Sequence, residues 1–227
     1  MFTFDASPVK FVGLLIMFAF TTGWGIYELT RPTDWRGRVS GIAHLWMSIV
    51  MLLMVPTMVW MPFVKVVPQP LILATQAAST LWFIWLAVRA TSSDQRLHFA
   101  GHAAMFGAMT WHLAAMAVIM DGVAKSGLPK MQWMMSQRAP GQPMWIAAVV
   151  GLPFMVYLLV AGVRALVKAL APASGAVEEG GCHAPRTQGT ATGRLGKLSE
   201  AAMNIGMFWM STGLMTALLP FMALLAF

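Results

Sequence analysis

The sequence predicts an all-α fold: a polytopic membrane protein forming one six-transmembrane-helix bundle built from three helix pairs. Three observations carry that expectation. The chain is 58% hydrophobic and only 10% charged, whereas soluble domains carry about 25% charged residues. Apolar runs fall at about 9–29, 39–63, 70–88, 97–120, 144–170 and 200–226, and about 18 such residues are enough to span a bilayer. The third is a phrase of histidine and methionine that recurs in the second, fourth and sixth runs. A single domain over residues 1–227 follows. It leaves no room for a soluble catalytic domain, and no enzyme is expected.

Span 1 follows Pro8, which suits a helix start, and stops near Glu28 and the Arg31-Pro32 break. Its leading segment MFTFDASP has no basic n-region, so a retained helix rather than a signal peptide is expected. Span 2 carries Pro56, expected to kink its outer half, and closes at Pro62. Span 3 follows Pro70, holds no methionine, and places Trp82 and Trp85 as interfacial anchors. Span 4 is followed by a long outer loop, Asp121 to Pro143, with Met131, Met134 and Met135 around Trp133. Span 5 ends with Arg164 and Lys168. Residues 171–198, rich in Gly, Ala and Thr, are expected to form a flexible cytoplasmic loop. Span 6 completes the bundle.

The net charge of +7 reads as membrane topology rather than as affinity for nucleic acid, which is not an expected partner. The loops after spans 1, 3 and 5, with their flanking helix ends, carry Arg31, Arg36, Arg38, Arg89, Arg96, Arg164, Lys168, Arg186, Arg194 and Lys197, against Lys10, Lys65, Lys125, Lys130 and Arg138 on the opposite side. This bias puts those loops in the cytoplasm and both termini outside, in the plasma (inner) membrane. With Cys182 as the only cysteine, no intramolecular disulfide is possible.

The chemistry lies in the recurring phrase. His44-x2-Met47-x3-Met51-x2-Met54 matches His102-x2-Met105-x3-Met109-x2-His112, and Glu200-x2-Met203-x3-Met207-x2-Met210 repeats the spacing with a carboxylate in the lead. At 100° per residue, His98, His102, Met105, Met109, His112, Met116 and Met120 fall within about 80° of one another. Spans 2, 4 and 6 run in the same direction, so the phrases stack into layers. His44, His102 and Glu200 are innermost, followed by Met47, Met105 and Met203, then by Met51, Met109 and Met207. Met54, His112 and Met210 form a fourth layer. A fifth, Met58 with Met116, loses its third ligand, since Leu214 stands at that position. From His44 to Met58 the ladder climbs about 21 Å.

Thioethers are soft, neutral ligands that select Cu(I), and successive replaceable sites suit conduction. The expected cargo is therefore Cu(I), moved across the bilayer, inward, or delivered to a copper chaperone or membrane cuproenzyme. Met131, Met134 and Met135 would gather ions outside, and Cys182-His183 would receive them inside. Methionine is also a common apolar filler, which leaves a non-catalytic scaffold with a Met-rich core as one alternative. Against it, 14 of the 21 methionines lie in spans 2, 4 and 6, a segregation that packing alone does not require. Two more alternatives stay open. Asp94, His98 and His102 share a helical face that His44 and Ser40 could meet, as in a zinc-dependent membrane hydrolase. His98 and His112, 14 residues apart, could serve haem b.

The His-x2-Met-x3-Met phrases, with Val-Pro following in span 2, resemble an uncharacterised actinobacterial family of small Met/His-rich polytopic membrane proteins. The resemblance covers most of the six-span core and implies its fold, with no activity attached. The thioether layers are similar, by analogy only, to the methionine triads of eukaryotic high-affinity copper transporters, which draw one Met-x3-Met helix from each of three subunits. The Ser/His/Asp/His residues weakly resemble the pattern of membrane ceramidases and their seven-helix relatives. Six spans and the lack of a late His pair depart from that pattern.

Overall fold

The computed structural model describes residues 4–5, 7–171, 177–178, 186–187 and 190–225. It is all-helical apart from a two-residue antiparallel pairing of Val177–Glu178 with Arg186–Thr187. Five helices are long and apolar enough to cross a membrane: α1 (Pro8–Leu29), α2 (Trp35–Met54), α4 (Gln69–Arg89), α5 (Ser93–Ser126) and α7 (Pro143–Leu170). The remaining helices are α3 (Thr57–Val66), α6 (Lys130–Ser136) and α8 (Ala191–Met215), followed by a 3-10 turn at Pro220–Leu225.

Local chemistry sets these boundaries. Pro8 opens α1 with φ already fixed for a helix. Asp34 caps α2 by accepting from the Gly37 N–H at 2.8 Å. Ser92 caps α5 through the Gln95 N–H at 3.2 Å, and Thr190 caps α8 through the Gly193 N–H at 3.1 Å. Gly127, at φ 66°, ends α5 in the left-handed conformation that glycine adopts without penalty. With 34 residues, α5 is about 51 Å long, longer than a hydrocarbon core of about 30 Å. Its last turns carry the exposed Lys125–Asp121 pair at 2.7 Å.

Three expectations are corrected. Span 2 does not continue through Pro56 with a kink: α2 stops at Met54, and α3 restarts at Thr57. Proline lacks the N–H that would close the turn, and its ring clashes with the preceding turn. The segment expected as one long outer loop holds the end of α5 and the short α6. The last helix runs over Ala191–Met215 rather than 200–226, so the final residues expected as loop form its first turns, and Pro220 stands where helix gives way to turn. Polar residues Arg194, Lys197, Glu200 and Asn204 leave α8 outside the group of strongly apolar helices.

The helices close in chain order. α1 packs on α2, α4 on α5, α5 on α7, α7 on α8, and α8 back on α1. α2 meets α4 through Trp46 Nε1 donating to Thr75 Oγ1 at 2.9 Å and Trp82 Nε1 to Ser40 Oγ at 3.2 Å. Half or more of the apolar stretch is buried in α2 (50%) and α5 (56%), against 22–28% in α1, α4 and α7. The first pair of helices is therefore inner and the other three are outer. Trp82 and Trp85 stack at 5.1 Å, with the Arg36 guanidinium 5.6 Å from the Trp85 ring, an amphipathic girdle at the end expected to face the cytoplasm.

Candidate functional site

Helical periodicity gathers the candidate ligands. On α2 the buried set includes Ser40, His44, Met47, Met51 and Met54. On α5 it includes Met105, Met109, His112 and Met116, and on α8 Met203, Met207 and Met210. Met47, Met51, Met109 and Met207 are wholly buried, and Met54, Met105, Met203 and Met210 nearly so. These eight methionines belong to one contiguous core cluster, together with Leu14 and Phe18 of α1. α5 contacts α8 directly and α2 through its histidines, whereas the α2 and α8 backbones are not closely packed. α1 lies against both: Phe18 approaches Gly206 so closely that a Cβ there would sit 2.7 Å from its ring.

The outer part of the ladder departs from expectation. Met58 is 82% exposed, whereas Trp60 on the same helix is buried in the core cluster: the break before Pro56 interrupts the register of α2, and Met58 falls on the outer face of α3. Met116 sits in a second cluster with Met144, Met155 and Met215 under Trp111 and Trp133. The fifth layer therefore does not form. Met134 is partly buried against that second cluster and Met135 is exposed. Cys182, His183 and the Met131 side chain lie outside the described residues, as does most of the expected loop at 171–198.

At the inner end three imidazoles are linked in series. His44 Nδ1 lies 2.8 Å from the Ser40 carbonyl oxygen, and a carbonyl only accepts, so His44 Nδ1 donates. Its Nε2 then accepts from His102 Nδ1 at 3.0 Å. His102 Nε2 in turn accepts from His98 Nε2 at 3.2 Å. His102 thus uses opposite ring nitrogens toward its two neighbours, and the three rings do not turn one nitrogen each onto a common point. Among the described residues no three of His, Cys, Asp and Glu gather as a metal site. Asp94 is exposed in the first turn of α5, one turn before His98.

Phe83 of α4 closes the same level. Its ring lies 5.2 Å from both His44 and His102, which are 4.7 Å apart. Glu200 pairs with Lys197 at 3.1 Å and lies within electrostatic reach of His102 and His98. Farther out, His112 is buried with its Nδ1 2.8 Å from Ser211 Oγ. This contact gives the buried ring a polar partner, next to the Lys10–Thr212 pair.

Several buried groups were not singled out from the sequence. Lys10 is only 1% exposed and donates to Thr212 Oγ1 at 2.8 Å. Its signal is the helical series Lys10, Leu14, Phe18, Thr21, all buried on one face of α1. Gln76 is wholly buried on the inward face of α4 with Ile72 and Phe83. Neither its Oε1 nor its Nε2 has a hydrogen-bonding partner among the described residues. An unpartnered buried polar group costs about 1–3 kcal/mol, and more in lipid, where no water compensates. Met144, Met155 and Met215 complete the missed set; they fall outside the repeated phrase, which is why spacing did not reveal them.

No curated protein and no solved structure matches the chain. A family described as a domain of unknown function does match, starting in α2 and ending inside α8, so that all three His/Met phrases lie within it. The chain belongs to that family, DUF5134, which it matches over residues 36–213.

Proposed function

We propose that the protein is a six-span inner-membrane protein that binds Cu(I) as its cargo in a thioether core. It moves the ion across the bilayer, inward, or hands it to a copper chaperone or membrane cuproenzyme. One observation carries the reading: eight buried methionines from α2, α5 and α8 share a single cluster. Thioethers bind Cu(I) without introducing a buried anion. Successive layers, Met47/Met105/Met203, Met51/Met109/Met207 and Met54/Met210 beside His112, let the ion exchange one set of neutral ligands for the next. His44, His98 and His102, with Glu200 near them, form the inner end, where a carboxylate offsets the ion's charge. On this reading α8 crosses the bilayer with the other five. It tolerates Asn204, Ser211 and Thr212 because these side chains are buried against protein rather than exposed to lipid.

The test is Cu(I) retention by purified protein in which Met51, Met109 and Met207 are all changed to leucine. Leucine conserves volume and disturbs packing little, at about 1.5 kcal/mol or less per site. Retention should fall at least tenfold while the melting temperature stays close to wild type. Equal retention in both proteins would return the methionines to packing alone.

A further inference from the structure

Gln76 is a wholly buried group, both of whose polar atoms lack a partner among the described residues, that neither packing nor the thioether layers explain. Its depth is fixed by the ring contacts at the inner end, where His44, Phe83 and His102 meet within 5.2 Å of one another. Seven residues along a helix make close to two turns, returning to nearly the same face about 10.5 Å farther on. Moving that far outward leads from His44 to Met51 on α2 and from His102 to Met109 on α5. On the antiparallel α4 it leads from Phe83 back to Gln76. Met51, Gln76 and Met109 are all wholly buried. The unpartnered carboxamide therefore lies at the depth of the central thioether layer, on the one neighbouring helix that supplies no methionine.

We propose that Gln76, with Met51 and Met109, forms a mixed carboxamide–thioether site for a soft monovalent cation. The inference rests on the Cu(I) reading above and specifies where along the core the ion pauses. Oε1 offers the ion an oxygen ligand, and Nε2 donates to a water that accompanies it. Both polar atoms gain partners only in the loaded state, so the cost of burying them bare favours occupancy of this layer over the layers on either side. A neutral amide suits this position better than a carboxylate would, since a fixed negative charge would trap the ion.

The experiment uses purified full-length protein, Cu(I) itself and X-ray absorption at the copper edge, on wild type, Gln76→Leu, Gln76→Met and the triple methionine variant. In wild type a light-atom scatterer should accompany the sulfurs. Gln76→Leu should bind Cu(I) about tenfold more weakly, while its metal-free form melts no lower than wild type because an unpartnered amide has gone. Gln76→Met should restore affinity with an all-sulfur shell. If the triple variant loses copper but Gln76→Leu binds as wild type does, or if the wild-type shell is sulfur alone, this site is overturned and the thioether core stands. If wild type binds no copper, or the triple variant binds equally well, both proposals fall together. Should Gln76→Leu not fold, the wild-type spectrum and Gln76→Met decide the matter.

Discussion

Lys10 is the residue on which the packing of α1 turns. A buried ammonium is costly unless it is partnered, and Thr212 Oγ1 accepts from it at 2.8 Å. Thr212→Val should therefore lower stability by about 1.5–3 kcal/mol, the usual value of a hydrogen bond to a charged group. Lys10→Met, which keeps the length and drops the charge, should melt at or above the wild-type temperature. Thermal unfolding in detergent measures both, and a Thr212→Val protein that melts like wild type would refute the role given to this contact. Gly151 is a second sensitive point. A Cβ there would overlap the Trp111 indole, which cannot simply swing away because its Nε1 donates to the Ala147 carbonyl at 2.8 Å. Gly151→Ala should cost about 1–3 kcal/mol through overpacking, read from the same melts. The buried face of the methionines follows helical spacing and is legible in the sequence, whereas Lys10 reads there only as a charge near a helix start. The unpartnered state of Gln76 is not legible, because spacing places a side chain on a face without revealing what lies across from it.

At the scale of elements, the buried methionines of α2 end where that helix ends, and with them the proposed ladder. Met54 lies in the buried core, and Met58, one turn beyond the break, is 82% exposed. Met58→Leu should leave Cu(I) retention unchanged, whereas Met54→Leu should weaken it. Equal effects in a copper titration would mean that the break before Pro56 does not bound the path. The bounds of α1, α4 and α7 were legible within a residue or two, since proline and polar turns mark both ends of each apolar run. The break inside span 2 was harder to read: the sequence Val55-Pro56-Thr57-Met58-Val59-Trp60 stays apolar throughout, and hydropathy does not distinguish a kinked helix from two helices. The end of the last helix is hidden for the same reason. Hydropathy continues past Met215 through Leu218, Leu219 and Phe221, while the backbone leaves the helix ahead of Pro220, as the restriction on residues preceding proline favours. The histidine series was half legible. The sequence brings His98 and His102 to one face, but the end-to-end use of their nitrogens depends on how α5 meets α2.

For the molecule as a whole, the proposed path requires α8 to cross the membrane with the five strongly apolar helices. Composition alone separates it from the five strongly apolar helices. Its packing argues for crossing, since α7 lies along one side and α1 along another. Its polar side chains Ser199, Asn204, Ser211 and Thr212 are buried, where they meet protein rather than lipid. A helix shielded in this way needs less apolar surface than a peripheral one, so low hydropathy is the expected mark of an inner position. Five crossings would put the termini on opposite sides and six on the same side. The single native cysteine, Cys182, lies between α7 and α8 and reports on their connecting segment. In intact cells a membrane-impermeant maleimide should leave Cys182 unlabelled until the membrane is permeabilised. In a Cys182→Ser background, Ser7→Cys and a cysteine-bearing tag added after Phe227 should both label from outside. If the tag labels only after permeabilisation while Ser7→Cys labels at once, α8 does not cross. The thioether core would then lack its third membrane-spanning wall, and transport through it would have to be abandoned.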